Sequence, residues 1–79
     1  MKNYKVYASV VNIGECTALY NEPWVCAYVM ANSLKEAFQI FYDSLYCQKF
    51  VEKNIVFNKI HFLFENKFGK LCYYGSIEL

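Results

Sequence analysis

The apolar residues of this chain change period twice, and that change limits the folds open to it. Tyr4, Val6, Ala8 and Val10 alternate with Lys5, Tyr7, Ser9 and Val11. This is the period of a strand with one buried face, and it predicts a strand over residues 2–12. Trp24 to Ala31 repeats the alternation, with Val25, Ala27, Val29 and Ala31 on one side and Trp24, Cys26, Tyr28 and Met30 on the other. The spacing then lengthens. Leu34, Phe38, Phe41 and Leu45 recur at steps of three and four, with Lys35, Glu36, Gln39 and Asp43 opposite them. That is one face of a helix. Ser33-Leu34-Lys35-Glu36 is a capping box, in which Ser33 accepts from the Glu36 N–H and Glu36 can reach back. By Tyr46, Cys47 and Phe50 the apolar residues have wrapped onto the polar side. The helix is therefore expected to end near Lys49, or to have its last turn covered by something else.

Period two returns at Ile60, Phe62 and Phe64, which alternate with Lys59, His61, Leu63 and Glu65. Asn66-Lys67-Phe68-Gly69 reads as a turn. Lys70 to Leu79 reads as a last strand, with Leu71, Tyr73 and Ile77 opposite Cys72, Tyr74, Ser76 and Glu78. The expected fold is α+β: a two-layer ββαββ sandwich, one helix on one face of a four-stranded, mainly antiparallel sheet. Strand order stays open between a right-handed parallel crossover and an all-antiparallel arrangement. A chain of 79 residues makes a single domain, 1–79. A chain of this size buries roughly 63% of its unfolded surface, enough for a modest core.

Composition narrows the function classes. Hydrophobic residues make up 57% and aromatics 20%, which excludes disorder. The 8 basic residues are all lysine and the net charge is +1, so a nucleic-acid partner is disfavoured. The longest apolar run, Trp24 to Ala31, is far short of the ~20 residues of a bilayer span. The N-terminus lacks the long apolar stretch of a secretion signal, so a cytoplasmic protein without a membrane partner is expected. Cys16, Cys26, Cys47 and Cys72 lack zinc or redox spacing. They are expected to be reduced thiols, with two disulfides as the secreted alternative. Neither a metal nor a cofactor is expected.

One helix cannot cover both faces of such a sheet. The outer face collects Lys5, Tyr7, Val11, Trp24, Cys26, Tyr28, Met30, His61, Leu63, Cys72 and Tyr74, and it is unusually apolar for a solvated face. Three readings compete. It is a protein-binding surface, for a partner or for a homodimer, with Trp, Tyr and Met as anchors. It is a stacking platform for single-stranded nucleic acid. Or the loop at 13–23 folds over it. On the first reading the contacts are Tyr7, Trp24, Tyr28, Met30 and Tyr74, with Glu15 and Glu22 of that loop meeting a basic patch on the partner.

Chemistry finds little support. His61 is the lone histidine, and Cys72 is the thiol that the hairpin could bring near it. The chain has no oxyanion or phosphate-binding glycine motif. A non-enzymatic role is expected. The segment Val29-Met30-Ala31-Asn32-Ser33-Leu34-Lys35-Glu36-Ala37, a strand running into a serine-capped helix, resembles a pattern common in small phage- and plasmid-encoded proteins. The all-lysine usage and seven asparagines resemble the products of AT-rich mobile elements. The resemblance implies an inhibitor or accessory binder of a host protein, of the anti-defence, anti-CRISPR kind, and it maps onto no individual site residue.

Overall fold

The computed structural model describes residues 1–10 and 23–79. Four strands, β1 (Lys2–Ser9), β2 (Trp24–Ala31), β3 (Lys59–Glu65) and β4 (Leu71–Glu78), form one sheet in the order β2-β1-β3-β4. Every neighbouring pair is antiparallel. Two helices, α1 (Leu34–Asp43) and α2 (Leu45–Lys53), and a 3₁₀ turn at Ile55–Phe57 connect β2 to β3. The fold is α+β. Strands β2 and β3 run parallel with β1 between them, so the neighbours are all antiparallel and the helical connection crosses over β1.

The expected single helix is two. Ser44 adopts an extended conformation (φ −71°, ψ 145°) and serves both as C-cap of α1 and as N-cap of α2. Its backbone N–H and its hydroxyl both donate to the Phe41 carbonyl. Its Oγ accepts from the Cys47 N–H at 3.2 Å. This break resets the helical phase. Cys47 and Phe50, which a continuous helix would turn toward the polar side, are instead buried. The Ser33 cap forms as expected, with the Glu36 N–H donating to Ser33 Oγ at 3.1 Å.

The helices lean over β2 and β1. Phe38, Phe41, Cys47 and Phe50 pack with Val6, Ala8, Val29, Ile60 and Phe62 in one core. Phe41 and Phe62 meet edge to face at 6.4 Å, the geometry that ring quadrupoles favour. The assigned faces of β1 and β2 hold: Val6 pairs with Ala27 and Ala8 with Val25 on the core side, and Tyr7 with Cys26 and Ser9 with Trp24 on the outer side.

In β4 the simple alternation fails. Phe62 pairs with Gly75 while Leu63 pairs with Tyr73, so Tyr74 is one residue too many. Such a bulge exchanges the two faces on one side of itself. Ile77 keeps its core-side place opposite Ile60. Leu71 and Tyr73, expected inside, lie on the outer face opposite Glu65 and Leu63. Tyr74, expected outside, stacks on Phe38 at 4.1 Å with the rings 17° apart. Cys72 also moves to the helix side, opposite Phe64.

Candidate functional site

The outer face has a small core of its own. Tyr7 is 6% exposed and Leu63 0%, with Cys26 and Leu71 packed against them. Tyr7 is therefore not available as a surface contact. Its ring lies 5.9 Å from that of Trp24, and burial raises its phenol pKa. Lys5 Nζ sits 5.6 Å above the Tyr7 ring and 5.5 Å above the Tyr28 ring, and 3.5 Å from Glu65 Oε2. Hydrogen bonding to Tyr7 leads the causes that hold the Lys5 ammonium above its ordinary pKa.

Around this core three expected contact residues reach the surface. Trp24 is 41% exposed, Tyr28 68% and Met30 53%. All three project from the outer side of β2, an edge strand. Tyr73, not Tyr74, extends the patch onto β4, and its ring lies 6.2 Å from His61. Sequence reading missed Tyr73 because no local signal marks the bulge. Glu15 and Glu22, and the question of whether the 13–23 loop covers this face, lie outside the described residues.

The helix side has its own concavity beside β4. A cavity of about 550 Å³ is lined by Phe38, Tyr42, Phe62, Tyr74, Gly75 and Ile77, with Lys35, Asp43 and Ser76 among its polar residues. Tyr74 belongs here.

The candidates for covalent chemistry separate. His61 stands opposite Ser9 on β1 and Ser76 on β4, on the outer face, while Cys72 lies on the helix side. The fold does not assemble a Cys72–His61 pair. Cys26, Cys47 and Cys72 are free thiols. Cys47 is buried, and burial pushes its pKa up to about 11, the opposite of an activated nucleophile. Among the described residues no group of His, Cys, Asp and Glu has the arrangement of a metal site, and no helix is long and apolar enough to cross a membrane.

His61 Nδ1 is buried without a hydrogen-bond partner among the described residues. Burial, then the charge of Lys59, lowers its pKa. The folded state thus binds a proton less readily than the unfolded chain, whose histidine titrates near ~6.5. The stabilisation is complete above that pH and is lost as pH falls from about 6.5 toward the lowered folded value. We expect the urea midpoint to drop as pH falls below about 6.5. His61→Gln should flatten that drop, and an equally steep drop in the variant would assign the effect to other groups.

Comparison with protein-family models, curated proteins and solved structures returns no match for this chain.

Proposed function

We propose that this chain is a non-enzymatic protein-binding module whose contact surface is the outer face of the sheet at β2, extended by Tyr73. The observation that carries the reading is the grouped exposure of Trp24, Tyr28 and Met30 on one side of one edge strand. A buried anchor beneath them, Tyr7 with Leu63, holds that surface in shape. Large, stiff aromatic side chains beside a methionine lose little entropy on docking and bury much area. The resemblance to mobile-element proteins suggests the class of partner: a host protein, a component of a defence system, which the module inhibits by occupying its surface. Glu15 and Glu22 remain part of that reading, as acidic contacts to a basic patch. A homodimer through the same face is the other protein-based form of it.

The test is a Trp24→Ala/Tyr28→Ala double variant. Both residues are exposed, so the fold should persist, with an unchanged far-ultraviolet circular dichroism spectrum. Co-purification of the native partner, or self-association in sedimentation, is expected to be lost. Unchanged association by a natively folded double variant would sink the placement. Single-stranded nucleic acid is the competing occupant of these aromatics. It requires salt-dependent retention of an oligonucleotide by the natural chain, and loss of that retention in the variant.

A further inference from the structure

The central strands of the sheet are unequally paired. β1 is bonded to β2 along its whole length, from Lys2↔Ala31 to Ser9↔Trp24. On its other side it meets β3 only over Val6–Ser9. β3 ends at Glu65, where the chain leaves for the turn at Asn66–Lys70. Among the described residues, Lys2–Lys5 therefore has no strand on its second side. Alternate main-chain N–H and C=O groups of an extended segment point to that side. A stretch of strand left unpaired in this way is a template for a further strand.

This open stretch is a notch rather than a plain sheet edge. It lies in a depression of about 600 Å³ whose walls include Tyr28 from β2, Leu34 from the start of α1, and Phe64, Asn66 and Lys67 from the far side. Three lysines, Lys2, Lys5 and Lys67, converge on it, and the sole carboxylate in its lining, Glu65, is already paired with Lys5 at 3.5 Å. Among the described residues no strand pairs with the outer edge of β2 either, but Trp24–Ala31 contains no charged residue and so expresses no preference of charge.

We propose that the notch takes an extended, acidic segment of a protein partner, which pairs with the main chain of Lys2–Lys5 as a short added strand in line with β3. Four residues of strand span about 13 Å, so a segment of four or five residues fills it. Its main chain satisfies the open N–H and C=O groups, and its carboxylates meet Lys2 and Lys67. Tyr28 borders both the notch and the aromatic face, so the two surfaces are continuous. The inference rests on the protein-binding reading and names the chemistry of the partner at this point of it.

The probe is the capped peptide Glu-Val-Glu-Val-Glu, titrated into the full chain at low ionic strength and followed by backbone amide NMR. Saturable binding is expected, with the largest shifts and slowed hydrogen exchange at amides within Asn3–Lys5. Glu-Val-Glu-Val-Glu methylated on every backbone nitrogen carries the same charge but has no N–H to pair as a strand, and Lys-Val-Lys-Val-Lys pairs but has the wrong charge. Neither should bind comparably. Reversing both lysines, Lys2→Glu/Lys67→Glu, changes only exposed side chains. It should weaken the acidic peptide roughly tenfold and let the lysine peptide bind instead. Equal binding of the N-methylated peptide would reduce the site to a patch of charge. Tighter binding of an oligothymidylate than of the acidic peptide would make it a nucleic-acid contact. Either result, or no saturation by the acidic peptide, overturns the proposal. The Trp24→Ala variant is expected to keep the peptide, so failure of the notch and failure of the aromatic face are read separately.

Discussion

Truncating Phe41 to alanine should cost about 3–5 kcal/mol of folding stability. Phe41 is 1% exposed, the largest of the fully buried side chains among the described residues, and meets Phe62 edge to face. Alanine there removes most of a ring from a packed interior that can close only partly around the hole. The site is a poor one for collapse, because Phe41 lies in the last turn of α1 and its carbonyl holds both the hydroxyl and the N–H of Ser44. The helix end cannot slide inward without loosening the cap that starts α2. A chain of 79 residues has a total stability of roughly 4–12 kcal/mol, so a single ring represents a large fraction of it. Urea unfolding at pH 7 should show the midpoint falling by about a quarter or more with little change in slope. A midpoint shift worth less than about 1 kcal/mol would mean that Phe41 is not the keystone its burial implies.

Leu63→Ala should cost about 2–5 kcal/mol, although Leu63 points away from both helices. If the outer face were an ordinary solvated sheet surface, that substitution would change stability by about 0.5 kcal/mol or less. Leu63 is 0% exposed, with Tyr7 beside it and Cys26 and Leu71 packed around the pair. The sheet thus has buried apolar side chains on both faces. Comparison with Trp24→Ala, on the same face but 41% exposed, separates the role of holding the sheet from the role of presenting a surface. The first should move the urea midpoint strongly, and the second should move it little.

Local signals made much of this visible in advance. Alternation assigned both faces of β1 and β2, with the small residues Val25 and Ala27 on the side that leaves room for the aromatic rings of the helix. Ser33 and Glu36 marked the start of α1, because a capping box satisfies orphan N–H groups with chemistry contained in four residues. The candidate surface was legible to the same extent. Trp24, Tyr28 and Met30 follow from the phase of β2. Tyr7 was placed on the correct face but is sealed in, because burial depends on neighbours from other strands that periodicity does not reveal.

Ser44 and Tyr74 show where local reading runs out. A serine inside a helical pattern can remain an exposed helical residue or bond the backbone as a cap. The choice at Ser44 turns on burying Cys47 and Phe50 against the sheet, a gain made across the tertiary fold. At Tyr73-Tyr74-Gly75 either tyrosine suits either face, and a bulge leaves no trace in composition. Ile77 must face the core opposite Ile60, while Leu71 joins Leu63 and Tyr7 outside. An odd residue between those two requirements is absorbed as the bulge, and Tyr74 is carried to the helix side. The order of periods along the chain was enough to establish an α+β protein with a four-stranded sheet, since period reports which side of a backbone is apolar. Which residues finally share a surface had to await the packing, because it depends on register between strands distant in sequence, and one extra residue in β4 reverses its faces.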